Sequence, residues 1–290
     1  MGNFENFNTT LVLGFFDGIH LGHRKVLSSA IEFAKRNNSK TILLTFKKSP
    51  SEYFNIKPEY IYSREHNFNV IKNLGIDYIE ACDFQELVTQ SADLYLKSIV
   101  EKYRPIAIFT GFNYTFGHER LGTPELLTSQ GKKYNYKYFC IPKYECNSKT
   151  ISSSLIRNLI KKGNIIEANT YLSEKFFLES TVIEGEKLGR TIGFPTANMI
   201  YPNDIVNLHY GVYKVMVMNK SAILNWGIKP TFNGEKPLLE VHIPHYNGDL
   251  YGKQLKVEIL EKIRDERKFN SKEELRKQIE KDLEICLKSS

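Results

Sequence analysis

Two architectures in series are predicted by this sequence: a parallel α/β sheet domain, then a small β-barrel or sandwich followed by a C-terminal helix. Three observations carry that reading. Up to about residue 170, short apolar runs alternate with amphipathic stretches, the grammar of βαβ units with helices on both sheet faces. Beyond that point strand-like runs follow one another at close spacing, as in small barrels and sandwiches. Near the end, the capping box Ser271-x-x-Glu274 opens a stripe of Leu275, Ile279, Leu283 and Leu287 at helical intervals.

In the first half, TTLVLGFF, KTILLTF, DYIEACDF, PIAIFTG and YKYFCIP read as strands rich in branched and aromatic residues. HRKVLSSAIEFAKRN places Val26, Leu27, Ala30, Phe33 and Ala34 on one helical face, and SADLYLKSIVEKY does so with Leu94, Tyr95, Ser98 and Ile99. In TPELLTSQG, Thr123 is the expected N-cap and Pro124 the first helical residue. SSSLIRNLIKKGNIIEANTYLSEK reads as two short helices. After it come the strand-like FFLESTVIEGE, GVYKVMVMN, SAILNWGI, PLLEVHIPHY and QLKVEILEKI, with YNGDLYG as an expected hairpin turn. The boundary is expected near 170–178, giving domains 1–174 and 175–290.

Composition narrows the class. The chain has 290 residues, 41% apolar and 25% charged, which fits a folded globular protein with room for two cores. Its net charge of +7 is dispersed rather than gathered into a run, which suits phosphorylated ligands and argues against a nucleic-acid arm. The four cysteines, Cys82, Cys140, Cys146 and Cys286, show no C-x-x-C spacing and read as reduced thiols. No apolar run approaches the roughly 18 residues of a spanning helix. Nor does the N-terminus resemble a signal peptide. The expected address is the cytoplasm, with no membrane or nucleic-acid partner, as a monomer or weak homo-oligomer.

GFFDGIHLGH follows the first strand directly. Glycines there permit tight turns, and a following helix offers unpaired N–H groups to an anion. His20 and His23 could donate to phosphate oxygens as charge grows on a leaving group. Buried structural histidines are an equally good reading of the pair alone, and metal ligation is poorer because no third ligand accompanies them. TGFNYTFGHERLGTPELL follows the strand PIAIF, so its polar groups also fall at a strand's carboxyl end. ISSSLIR puts three hydroxyls at a helix start with Arg157 one turn inside, which suits a phosphate grip or plain N-capping.

Taken in order, H-x-G-H, G-x-N/D-[FY]-x-F-G-x-x-R-x-G and ISS-[ST]-x-IR resemble the bacterial FAD synthetase module. That module is an FMN adenylyltransferase of the nucleotidyltransferase superfamily. The resemblance implies a nucleotidyltransferase-type parallel sheet and an ATP site of Gly14, Phe16, Asp17, His20, Gly22, His23, Asn113, Ser152, Ser153 and Arg157. There, His20 and His23 would meet the triphosphate while an FMN phosphate oxygen attacks the α-phosphorus and pyrophosphate leaves. One segment departs from the family pattern F-[DE]-P-H-P. Phe46 and Pro50 remain, but Lys47, Lys48 and Ser49 take the acidic, proline and histidine positions. Two cations cannot replace an acidic group near Mg²⁺, so adenylylation is expected to depend on free Mg²⁺ less than phosphorylation does.

In EGEKLGRTIGFPTANM, Gly185, Gly189 and Gly193 form a flexible lip that phosphates can approach, or a glycine-rich hairpin without a ligand. Thr196 and Asn198 alternate as in a strand, presenting oxygens suited to Mg²⁺. No P-loop is present. Glu240, between Leu239 and Val241, is a candidate base or a salt-bridged structural carboxylate. With GVY, G-x-x-PTF, the LYG turn and the last helix, these segments resemble bacterial riboflavin kinase, implying a small β-barrel. The resemblance implies an ATP and flavin site of Gly185, Gly189, Arg190, Gly193, Pro195, Thr196, Asn198 and Glu240. Thr196 and Asn198 would hold Mg²⁺, and Glu240 would take the proton of riboflavin's 5′-hydroxyl. The two modules together imply a bifunctional enzyme acting on ATP, riboflavin, FMN and FAD. Alternatives are a kinase with weak or lost adenylyltransferase activity and a flavin-sensing binding protein.

Overall fold

The computed structural model describes residues 4, 7–185, 189, 192–231 and 234–288. It divides the chain into two compact units, Met1–Ser153 and Ser154–Ser290. The boundary expected from the sequence, 174/175, falls later, after two helices that belong to the second unit.

The first unit is built on five parallel strands: β1 (Thr9–Leu13), β2 (Lys40–Phe46), β3 (Tyr78–Cys82), β4 (Pro105–Gly111) and β5 (Lys137–Ile141). Their order is β3-β2-β1-β4-β5, so the chain reverses its direction of travel between β1 and β4. Each connection carries helices: α1 (Leu21–Arg36), then α2 (Pro50–Tyr53) and α3 (Arg64–Leu74), then α4 (Phe84–Val88) and α5 (Ala92–Tyr103), and lastly α6 (Pro124–Tyr134). Strand alternation sends Leu11, Leu13, Ile42, Leu44 and Ile108 into one core, with Leu96 and Ile99 of α5 and Leu127 of α6. Val12, Leu43, Ala107 and Phe109 enter the other, with Val26 and Leu27 of α1 and Ile71 of α3. With both faces covered, β1 is buried along its whole length, which explains its unbroken apolar spelling.

Thr123 does cap α6, accepting the Leu126 N–H at 3.4 Å, with Pro124 first in the helix. The expected face of α5 is corrected. Ala92, Leu96, Ile99 and Tyr103 are buried, whereas Leu94 is 61% exposed and Ser98 is exposed. Large residues drew the stripe toward Leu94, but the geometry follows the i, i+4, i+7, i+11 stripe from Ala92 to Tyr103. The first strand also stops at Leu13, short of the GFF expected to continue it, because Gly14 begins the turn.

The second unit opens with α7 (Ser153–Lys161) and α8 (Ile165–Tyr171) and continues into six strands. These are β8 (Phe177–Ile183), β9 (Ala197–Met199), β10 (Gly211–Val217), β11 (Lys220–Thr231), β12 (Gly234–His242) and β13 (Gln254–Arg264); β6 (Glu145–Cys146) and β7 (Lys149–Thr150) form a separate pair in the first unit. The six close into a barrel in the order β10-β11-β12-β9-β8-β13, which settles the choice between barrel and sandwich. α8 is tied to this barrel by Asn169, whose Nδ2 donates to the Ile259 carbonyl and whose Oδ1 accepts the Phe176 N–H.

YNGDLYG does not turn a hairpin. It links β12 to β13, which are not neighbours, so Asn-Gly turn chemistry serves a longer connection there. A two-residue hairpin instead joins β10 to β11, where Met218 and Asn219 both take positive φ. The last helix, α9 (Lys272–Lys288), receives the expected Ser271 cap at the Glu274 N–H. Its buried positions are Asp282 and Cys286, whereas Leu287 is 52% exposed, so the expected stripe fails at its end.

Candidate functional site

In the first unit the loops that carry Gly14 to His23 and Asn113 leave the carboxyl ends of β1 and β4, the strands at which the sheet order reverses. Open α/β sheets bind ligands in the crevice there. The turn after β1 is strained. Gly18 takes φ +78°, and a Cβ on it would stand 2.7 Å from Ile61. Ile19 takes φ +38°, unfavourable for a β-branched residue, and is held by complete burial. Asp17 is fully buried beneath this turn. Its carboxylate accepts the Ile61 N–H at 3.1 and 3.2 Å, while Asn67 accepts the Gly18 N–H at 3.2 Å. Ser153 closes the brace by donating to the Asp17 carbonyl at 3.0 Å.

His20 is the N-cap of α1, and its Nδ1 accepts the His23 N–H at 3.2 Å. An accepting Nδ1 leaves the proton of a neutral imidazole on Nε2, so that nitrogen is the donor. The rings of His20 and His23 stack with centroids 3.6 Å apart, and Phe16 meets His23 edge-on at 5.0 Å. Gly14 and Gly22 bracket the turn. The result is a preoriented pair of imidazoles at the positive end of a helix, an arrangement suited to anionic oxygens. Asn113 is exposed in the turn that leaves β4, closed by the Tyr114 N–H to the Gly111 carbonyl at 3.2 Å. Ser152 precedes α7 and Ser153 opens it, while Arg157, one turn along and half-buried, falls in the second unit.

The TFKKSP departure has its own local structure. Lys47 is exposed and meets Asp83 at 2.9 Å, and that carboxylate raises its ammonium pKa. Ser49 forms a capping box with Glu52 at α2 and donates its N–H to Tyr60 at 2.8 Å. Lys48 lines a separate open cavity with Tyr53 and Phe84. Arg64, invisible to the sequence reading, is sandwiched between Phe15 and Phe68 at 4.3 and 4.6 Å and donates to the Phe46 carbonyl at 2.7 Å. Burial lowers its pKa, and it pins the ends of β1 and β2 together. Its partners lie far away in sequence, so no local spacing marked it.

In the second unit a cavity of about 370 Å³ lies against the barrel and the inner side of α9. Ile192, Phe194, Phe269, Leu275 and Ile279 make it apolar, and Thr196, Asn225, Glu240 and His242 supply polar groups. Such a mixture suits a flat aromatic ligand carrying a few hydrogen-bonding groups. Leu239 and Val241 are buried at 1% exposure on the opposite face of β12, which leaves Glu240 half-buried toward the cavity. Glu240 pairs across β12 with both Asn225 and Asn198, so the three side chains share one face. The Asn225 amide stands 3.4 Å from the Glu240 carboxylate.

Asn198 is 6% exposed, and its amide occupies the space where a Cβ on Gly185 would fall, 2.2 Å away. Thr196 sits just before β9, beside Gly189, where Gly193 and Pro195 make the approach. Arg190 lies outside the described residues. Among the described residues no three His, Cys, Asp or Glu side chains gather to hold a metal. The Thr196 hydroxyl and Asn198 amide oxygens are hard donors that fit a magnesium ion keeping its waters and nucleotide phosphates. Sequence reasoning missed His242 and the Arg264–Asp282 pair at the cavity wall, because each depends on a partner on another element.

The two units define a two-module nucleotide-handling protein, and comparison gives the family. The FAD synthetase family model matches residues 4–155, and the riboflavin kinase model matches residues 172–290. A Buchnera aphidicola (subsp. Schizaphis graminum) protein named bifunctional riboflavin kinase/FMN adenylyltransferase is 37% identical over 98% of this chain and 94% of its own length. A Bacillus subtilis protein of the same name is 33% identical over 98% of this chain and 93% of its own. A crystal structure from Streptococcus pneumoniae described as a macrolide-efflux protein shares the architecture, with TM-score 0.84 and 29% identity, covering 99% of this chain and 97% of that one. Among the described residues no helix is long and apolar enough to cross a membrane. The chain belongs to the bifunctional riboflavin kinase/FMN adenylyltransferase family.

Proposed function

We infer that this chain phosphorylates riboflavin to FMN with ATP and then adenylylates FMN to FAD, releasing pyrophosphate. The observation that carries this reading is the presence of both family matches in one chain, each over a unit with its own candidate site. Domains 1–174 and 175–290 are proposed to house adenylyltransferase and kinase respectively.

In the kinase, Glu240 takes the proton of the riboflavin 5′-hydroxyl as its oxygen attacks the γ-phosphorus. The apolar wall of the cavity holds the flavin and excludes water from this step. Thr196 and Asn198 hold magnesium, which when bound neutralises phosphate charge; positioning and neutralisation carry most of the rate in phosphoryl transfer. The lip of Gly185, Gly189 and Gly193 with Pro195 receives the nucleotide, and Arg190 is a further nucleotide or flavin contact. In the adenylyltransferase, His20 and His23 stabilise the charge of the departing pyrophosphate. Gly14, Phe16 and Gly22 shape the loop around it, with Asn113, Ser152, Ser153 and Arg157 as further nucleotide contacts. Asp17 braces that loop from beneath. The cytoplasm is the proposed location.

Separate loss of the two half-reactions tests these roles. Glu240→Gln should lower FMN formation about 10²–10⁴-fold and spare adenylylation of supplied FMN. His20→Ala or His23→Ala should do the reverse, at about 10²–10³-fold. Parental FMN formation in the Gln variant would make Glu240 structural, and parental FAD formation in both His variants would remove the pair from the reaction.

A further inference from the structure

Thr196 is held firmly on one side only by the sheet. The β9–β12 ladder runs Met199↔Leu239, Asn198↔Glu240 and Ala197↔Val241, and there it stops. The next residues back along the chain, Thr196 and Pro195, lie outside the strand, and proline has no N–H to extend a ladder. At that point a side chain does what a backbone bond would have done. His242, the next residue along β12, places Nδ1 2.8 Å from the Pro195 carbonyl oxygen. The same imidazole packs edge-on against Phe194 at 5.4 Å. Beyond these two residues comes Gly193, with φ +89° and nothing within 4 Å of a Cβ built on it. The Phe194 N–H donates to the Gly189 carbonyl at 2.8 Å, and from there to Ala197 the Pro195 carbonyl is held by His242.

We propose that His242 is a positioning residue of the kinase, whose Nδ1–H holds the Pro195 carbonyl and so fixes Thr196 at the cavity that Glu240 also lines. This rests on the assignment of Thr196 and Glu240 to the kinase reaction. A carbonyl only accepts, so Nδ1 must carry the proton. Burial lowers the His242 pKa, with His245 adding to the effect, so the neutral ring holds its proton on Nδ1 and keeps Nε2 as an acceptor. Residues that orient a ligand from behind in this way typically matter about ten- to a hundredfold in metal affinity or activity.

The test uses the full chain with riboflavin, ATP and magnesium. His242→Ala should raise the magnesium concentration for half-maximal FMN formation, and the KM for ATP, about tenfold or more. His242→Asn puts an amide N–H where Nδ1 stood and should recover most of that loss; His242→Asp, an acceptor of similar size, should not. Backbone amide exchange at Phe194 and Thr196 should quicken in the Ala and Asp variants and stay near parental in the Asn variant. Nitrogen-15 spectra of the parent without substrates should place the ring proton on Nδ1. Equal impairment of the Ala and Asn variants, unchanged exchange in the Ala variant, or a proton on Nε2 would each overturn the proposal. A parent that made no FMN would defeat the kinase assignment, while exchange and tautomer would still decide whether His242 anchors Pro195.

Discussion

Asp17 shows how a buried carboxylate can brace a turn from within. Its carboxylate accepts the Ile61 N–H while its carbonyl receives Ser153, so three stretches distant in sequence meet beneath one turn. Removing the carboxylate strands a buried donor, which costs about 2 kcal/mol. Asp17→Ala should therefore lower the unfolding free energy of the first unit by that amount in denaturant titration and reduce FAD synthesis, with FMN formation unchanged. Unaltered unfolding would deny the brace. The glycines and histidines of GFFDGIHLGH announced a tight loop between β1 and α1. The division of labour within it was not legible, since Ile61 and Asn67 lie far from Asp17 in sequence. Likewise the sequence offered His20 as a donor or as a buried structural residue, and it is the cap on α1 that fixes which nitrogen can donate.

At the scale of elements, α9 is pinned to the barrel by a buried ion pair. Arg264 at the end of β13 grips both carboxylate oxygens of Asp282 at 2.9–3.1 Å, and Gln278 donates to Asp282 at 2.7 Å. The side chains are 19% and 2% exposed, so losing one partner strands a desolvated charge. Asp282→Ala should destabilise the second unit by about 3 kcal/mol and weaken riboflavin binding, because Leu275 and Ile279 of the same helix line the cavity. A loss below about 1 kcal/mol would mean that the pair behaves like an exposed one. The helix itself was evident from its capping box and leucines. Its buried face was not, because an aspartate at a core position contradicts the binary pattern until Arg264 is seen beside it. The same limit applied to α5, where Leu94 outweighed Ala92, and to α3, whose polar spelling gave no strong stripe.

At the scale of the whole molecule, the change of grammar along the chain foretold two architectures, because strand–helix alternation and closely spaced strands impose different apolar spacings. Strand order was beyond reach, since Asn-Gly chemistry in YNGDLYG marks a turn without saying which strands it joins. The fold sets the loops after β1 and β4 beside the reversal of the parallel sheet, puts Thr196 and Glu240 on one cavity, and pairs Asn198 with Glu240 across the strands. That two-site account makes a single direct demand. Purified protein incubated with riboflavin, ATP and Mg²⁺, with products separated by chromatography over time, should first yield FMN and then FAD, with pyrophosphate appearing in step with FAD. Riboflavin left unconverted, or FMN accumulating with no FAD, would contradict it.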